Sequence, residues 1–366
     1  MKHIVSAIWS QIERSLFPAL EVVFQEPLND SLRQVVSTLE IVRIEEYVRP
    51  ASWQMRGRPL ICRGNIARAF IAKAVLGIRT TKQLQQALLT DSALRRVCGF
   101  TMRMEVPSEP TLSRAFGEFA DSELGRRVHE ALGDRYVGDL IVMHVCRDST
   151  EIPAREKPVE KPAKEQKPRQ KCGRKGKNDP PRELTRLERQ RSQTPEEAFV
   201  ELPIACDFGV KKDTHGKNHY WVGYKEHIDW TDNGLPLQAR ITSASVHDSQ
   251  IAIPMPKYIA RERTVFYELM DCAYDANEIH EAINELGHRP IIAIHSRRKT
   301  AVPFDPATAQ RYKNRTAAER GNARLKDDFG CRHVRVRGAV KVHQHIMFAI
   351  LALFADILVK MATGAT

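Results

Sequence analysis

The run DLIVMHVC from Asp139 to Cys146, followed at once by Arg147-Asp148-Ser149-Thr150, constrains this chain more than any other stretch. A short apolar segment bounded by charge has the pattern of a central strand buried on both faces. Further strand-like runs cover Phe199 to Val210, His219 to His227, Leu237 to Ser245, Thr264 to Met270 and Pro290 to His295. Helical spacing marks Asp275 to Leu286 and a long segment from about Pro306 to Asp328. A helix beginning at Asp248 should be broken by Pro254 and Pro256, which lack the amide proton a helix interior uses. This order of hairpin strands, then alternating strand and helix, predicts a mixed-sheet α/β domain over residues 138–366.

Residues 1–137 read as a helical N-terminal domain. Ile66, Ala69, Phe70, Lys73 and Ala74 recur at helical spacing, and Thr80 or Thr81 can cap a helix carrying Leu84, Ala87 and Leu88. Asp91 opens a short helix that Gly99 stops, and Ser108 with Pro110 starts another. Short helices joined by tight turns suit a helix-turn-helix DNA reader and a plain helical bundle equally well. The stretch at about 154–197 is rich in Lys, Arg, Glu and Pro, so it is expected to be a mobile insertion. Its basic clusters suit a DNA backbone or simply water. The apolar Val340 to Met361 segment predicts a closing helix. Its most apolar part, Ile346 to Val359, falls short of the ~20 residues of a membrane span and contains Asp356, so no membrane partner is expected.

The 57 basic and 45 acidic side chains leave a net charge of +12. Such an excess favours a polyanionic partner, nucleic acid ahead of an anionic membrane, because Lys and Arg displace counterions from phosphate. Seven scattered cysteines without a C-x-x-C pair predict free thiols in a reducing compartment rather than disulfides or a zinc cluster. No signal-peptide pattern opens the chain, so an intracellular, soluble protein is expected.

Three carboxylates stand where a sheet would present them together. Asp148 ends the first strand run, Asp271 ends the Thr264 to Met270 run, and Glu319 lies in the last long helix. Carboxylates at strand ends suit a hard divalent cation, which prefers oxygen ligands. Each one alone is more often a turn former or a cap. Tyr312, Arg315, Glu319 and Lys326 are offset by three, four and seven residues, which on a continuous helix forms one stripe. Arg311, Lys313, Arg320 and Arg324 add charge to the same helix. The stripe suits a site where a carboxylate holds metal while cations hold phosphate. It equally suits a solvated helix with an Arg315–Glu319 pair.

The pattern Tyr312-x-x-Arg315-x-x-x-Glu319-x-x-x-x-x-x-Lys326 resembles the YREK signature of bacterial insertion-sequence DDE transposases. Arg147 to Thr150 looks like that family's first motif, Gly223 to His227 resembles its G-Y-K-x-H strand, and Ser245 to Ser249 its A-x-x-H-D-S segment. Met270 to Asp275 resembles the D-x-x-Y-D second motif, and Arg96 to Phe100 with Val106 to Thr111 resemble the preceding helical domain. The resemblance spans roughly residues 55 to 360. It implies a ribonuclease-H-like fold, a mixed sheet with flanking helices, in which Asp148, Asp271 and Glu319 bind two Mg²⁺ or Mn²⁺ ions. It further implies cleavage of transposon ends and strand transfer into target DNA. Tyr312, Arg315 and Lys326 would contact DNA, with Arg311, Arg320 and Arg324 beside them. Ser149, Lys225, His247 and Asp248 would support the ligands. The partners implied are double-stranded DNA, as terminal inverted repeats and target, and a second copy of the chain. The location implied is the bacterial cytoplasm at the nucleoid. Between Asp271 and Glu319 there is no room for the large β-strand insertion of some relatives. Two other readings use the same scaffold: an inactive DNA-binding descendant, and a nuclease that cuts without joining.

Overall fold

A computed structural model describes residues 2–49, 60–138, 140–160, 182–212, 216–294 and 303–364. The N-terminal part consists of α1 (Lys2–Gln11), α2 (Phe17–Phe24), α3 (Asp30–Val42), α4 (Arg63–Val75), α5 (Thr81–Thr90), α6 (Ser92–Val97), α7 (Glu109–Asp121) and α8 (Leu124–Val137). Local chemistry sets several of these starts. Thr80 and Gln83 form a reciprocal capping box on α5, and the Asp91 side chain accepts from the Leu94 N–H to open α6.

The chain then enters β1 (Val142–Pro153). After α9 (Arg186–Ser192) and α10 (Pro195–Val200) come β2 (Asp207–Lys212), β3 (Asn218–Thr231) and β4 (Pro236–Ser243). Next are α11 (Pro254–Ile259), β5 (Val265–Met270), α12 (Asn277–Glu285) and β6 (Arg289–Ile292). The chain closes with α13 (Pro306–Tyr312), α14 (Thr316–Asp327) and α15 (Ala339–Thr363). The strands form one sheet in the order β2-β3-β1-β5-β6, with β4 on β3. β1 and β3 pair antiparallel, as do β3 and β4, whereas β5 and β6 run parallel to β1. Four strands joined by antiparallel pairings, β1 to β4, continued by the two parallel strands β5 and β6 and flanked by helices, give the mixed α/β sheet that the strand order predicts and the ribonuclease-H-like fold that the resemblance implies.

Several local expectations need correction. Asp148 lies in the middle of β1, because pairing with β3 continues from Val145↔Thr231 to Pro153↔Gly223. Gly223 permits this end of the ladder: a Cβ there would stand 2.1 Å from the Ile152 carbonyl oxygen. The 199–210 run is not one strand, since α10 extends to Val200 and β2 begins only at Asp207. Pro254 and Pro256 start α11 rather than break a helix, because first-turn amides have no intrahelical acceptor to lose. The long helix from Pro306 is interrupted by a 3₁₀ turn at Lys313–Arg315, which separates Tyr312 from α14. Residues 161–181 of the basic insertion lie outside the described residues. Its later part is ordered, because capping boxes at Thr185–Glu188 and Thr194–Glu197 open α9 and α10.

The helix α15 is long and apolar enough to cross a membrane by length and composition. It is instead mostly buried by its own chain, with Ile346 to Ala355 inside the core. It packs on α3, α4, α7 and α8 and also on β4. Phe348 stacks on Phe70 of α4, ring centroids 5.8 Å apart. The helical part and the sheet therefore share one apolar core, from Val35 and Ile66 through Val145 and Trp230 to Leu358. Helix α14 lies against β1 and β3. Gly321 makes that approach possible, since a Cβ there would meet the Trp230 ring at 2.5 Å.

Candidate active site

Cys146 of β1 is level with Leu269 of β5 in the parallel ladder. Two residues further on, Asp148 and Asp271 therefore emerge side by side. Asp271 follows β5 directly and caps the next turn, its Oδ1 accepting from the Ala273 N–H at 2.8 Å. Burial pushes the Asp148 carboxyl up to about 6, against the Ser149 amide, with the negative charges of Asp271 and Asp248 adding to the rise. The same causes raise Asp271, burial first and the charge of Asp248 among the rest. Two largely desolvated carboxylates, both raised further by the charge of Asp248, make a site that gains from a cation.

Asp248 is a third carboxylate facing this pair. Burial opposes its charge, but its neighbours, among them the Lys225 ammonium and the hydrogen bonds from Lys225 and Ser149, outweigh burial and hold its pKa below the usual range. Lys225 donates to Asp248 Oδ1 at 2.9 Å and to the Val246 carbonyl at 2.9 Å. The Ser149 side chain also hydrogen-bonds Asp248. His247 shares a hydrogen bond with the Ser249 hydroxyl at 2.8 Å, and its field lowers Asp271. The structure thus brings together Asp148, Asp271, Ser149, Lys225, His247 and Asp248.

Glu319 stands apart. On α14 its exposed carboxylate pairs with Arg315, one helical turn away. The positive charge of Arg315 acts on Asp148 and Asp271 as well. Its guanidinium lies 5.9 Å from the Tyr312 ring centroid, and Tyr312 stacks obliquely on Phe304. Lys326 is half-buried beside Glu151, and Arg311 lies over the Tyr267 ring at 5.0 Å. Arg320 donates to Thr316. Arg324 is occupied by Asp356 at 2.6 Å and Asp328 at 3.2 Å, which ties α14 to α15.

Three contributors escape a reading of motifs. Asn322 donates to Asp148 Oδ2 at 3.1 Å from α14. The Tyr274 hydroxyl is buried in the field of Asp248, Asp148 and Asp271, with no hydrogen-bond partner among the described residues. Arg147, wholly buried behind Asp148, binds Asp229 at 2.8 Å and Glu268 at 2.8 Å, and Glu268 continues to His288 at 2.8 Å. Tyr274 and Arg147 both sit in quoted motifs without a role read for them there, whereas only a three-residue spacing from Glu319 hints at Asn322.

Among the described residues no three His, Cys, Asp or Glu side chains are placed to hold a metal ion together. The donor chemistry nevertheless fits a hard divalent cation: two half-buried carboxylates side by side, with only the field of Arg315 and hydrogen bonds to offset their charge. Glu319, exposed and held by Arg315, would have to leave that partner to join them. Carboxylates set beside Arg and Lys in the middle of a ribonuclease-H-like sheet define a phosphoryl-transfer protein that acts on nucleic acid.

The family comparison makes the class particular. The model described as Transposase DDE domain matches residues 143–355, more than half of the chain, and the Transposase domain (DUF772) matches residues 21–118. The chain belongs to the DDE transposases of insertion sequences, enzymes of DNA transposition that use divalent metal ions. No curated protein and no solved structure matches it.

Proposed function

We propose that Asp148, Asp271 and Glu319 are the metal-holding triad of this transposase, binding two Mg²⁺ or Mn²⁺ ions. The enzyme would cleave transposon ends and join the freed 3′-hydroxyl to target DNA. The observation that carries this reading is the side-by-side emergence of Asp148 and Asp271 from adjacent parallel strands, with both carboxyls raised by burial.

Divalent cations at that pair would activate the attacking oxygen and stabilise the leaving one. The chain's own residues do the rest. Lys225 and Ser149 keep Asp248 ionised and fixed, so it orders the pocket without competing for a proton. Asn322 holds one Asp148 oxygen and leaves the other available. Arg315, which now holds Glu319, would contact a DNA phosphate instead, and the freed Glu319 carboxylate would be one of the groups able to hold a cation. Tyr312, Lys326, Arg311 and Arg320 contact the backbone near the cleaved end. Two chains act together on two ends, in the bacterial cytoplasm at the nucleoid.

The test is nicking and joining of a supercoiled plasmid bearing the element's ends, with Mg²⁺ or Mn²⁺. Wild type should yield cleaved and joined products. Asp148→Asn, Asp271→Asn and Glu319→Gln should bind ends yet yield neither. Cleavage by all three variants would sink the site. Cleavage without joining would leave a nuclease, and end binding without cleavage an inactive descendant.

A further inference from the structure

We propose that the cleft between the N-termini of α5 and α7 and the segment entering α15 is a second binding site for DNA backbone. It would hold phosphates of the same duplex whose end lies at Asp148 and Asp271. The proposal rests on the transposase reading above and extends it to a place no catalytic motif touches.

The cleft has a volume of about 470 Å³. Its charged lining is lopsided: Lys73, Arg79, Arg155, Arg335, Arg337 and Lys341 against the single carboxylate of Glu109. None of the six cations has an ion-pair or hydrogen-bond partner among the described residues. Several other cations of the chain are neutralised by carboxylates: Arg126 binds Glu123 and Glu130, Arg263 binds Asp134, and Arg324 binds Asp356. Here six cations gather around one carboxylate in a single cleft.

Lys73 is the sharpest observation. Its side chain sits in the cleft with only 7% of its surface exposed and no acceptor for its ammonium. Burial drives its pKa down to about 8. An unpaired buried ammonium opposes folding, so its use is expected to lie in something that arrives later. An anion fits, and the surroundings favour one. Thr80 and Thr81, at the start of the ten-residue α5, and Glu109, which opens the thirteen-residue α7, turn two positive helix ends toward the cleft.

Position selects DNA among anions. Arg155 lies two residues beyond Pro153, the end of the strand that carries Asp148. Seven residues of extended chain span at most about 23 Å at ~3.3 Å per residue. That is less than one turn of B-DNA, about 34 Å. Lys326, beside Glu151, lies between the two places along β1. A single duplex can therefore touch the carboxylates, Lys326 and the cleft in succession.

The experiment uses the full-length protein and a fluorescein-labelled DNA duplex of mixed sequence, read by anisotropy across a salt series. Arg335→Ala/Arg337→Ala removes two exposed cleft cations, and Arg14→Ala/Arg135→Ala removes two exposed cations outside it. The cleft variant should weaken binding about tenfold and lower the slope of log K against log salt by roughly 1.8, at ~0.9 per phosphate lost. The control pair should leave both unchanged. Lys73→Met should raise the melting temperature while weakening the duplex. Equal binding by wild type and the cleft variant would overturn the site, as would a lower melting temperature for Lys73→Met with unchanged binding. Failure of wild type to bind any duplex would instead overturn the transposase reading. Lost binding to phosphatidylserine vesicles with duplex binding intact would assign the cleft to a membrane surface and overturn the proposal.

Discussion

Asn322 and Asp148 join the helix that carries Glu319 to the central strand, the amide donating to the carboxylate at 3.1 Å. Because Asn322 follows Glu319 by nearly one helical turn, this contact sets how far Glu319 stands from the aspartates. Asn322→Ala is expected to cost about 1 kcal/mol of stability, the worth of an ordinary hydrogen bond. Its larger effect should be on plasmid cleavage, with a fall on the order of tenfold or more while end binding persists. Wild-type cleavage by this variant would show that the helix is held by packing alone.

If Glu319 is a metal ligand as proposed, the Arg315–Glu319 pair would compete with metal for one carboxylate. Glu319 is more than one-third exposed, so the pair is screened and worth little. Arg315→Ala should therefore tighten Mn²⁺ binding by only about two- to fivefold, a few tenths to 1 kcal/mol, when followed calorimetrically. Cleavage should nevertheless fall, because the phosphate contact goes too. Weaker Mn²⁺ binding would mean that Glu319 needs Arg315 to stay in place.

Arg147 is expected to matter through the fold. Arg147→Met leaves Asp229 and Glu268 buried without their cation, a loss of about 3–5 kcal/mol. Thermal denaturation should show a large drop in midpoint. A drop no larger than that of a surface substitution would mean that water reaches these carboxylates.

The pH response should have two components of opposite sign. His129 and His227 are buried neutral with pKa near about 4, and His345 near about 3, burial being the first cause in each. Unfolding lets each take a proton near its ordinary value, so they destabilise the fold as pH falls from about 6.5 toward 4. Asp148 works the other way. Its folded carboxyl is raised to about 6, so its stabilising share is whole below its ordinary value and is lost as pH rises through 6. Asp148→Asn should accordingly raise the metal-free melting temperature at pH 7 and abolish the rise that Mn²⁺ gives wild type. A lower melting temperature for the variant without metal would refute the charge argument.

Much of the site is legible because its chemistry is local to strand ends. Asp148 and Asp271 follow apolar runs in which Val142, Val145, Cys146, Leu269 and Met270 are buried, although Ile141, Met143 and Phe266 turn to solvent, against the expectation of a strand buried on both faces; Lys225 and Asp248 lie in short motifs. What sequence conceals is pairing. The length of β1 depends on β3, where the partner of Asp148 is Ile228, 80 residues away, so Asp148 reads as a strand end when it is a strand middle. Asn322 looks like any helix polar residue until Gly321 lets the helix down onto Trp230. The α9 and α10 caps were visible as Thr-x-x-Glu, twice, but the surrounding Lys and Pro composition outweighed them. The helix stripe failed for a different reason. A 3₁₀ turn changes the angular step, so Tyr312 and Lys326 do not share one straight face.

The placement of α15 has a consequence for how the molecule comes into being. Residues 339–363 follow the whole sheet in sequence, yet Phe348 and its neighbours fill the space between the much earlier helices α3, α4, α7 and α8. Until α15 has been made, those helices face an empty middle, and contacts of such long sequence separation form slowly. A nascent copy therefore stays unfinished until both the sheet and α15 have left the ribosome.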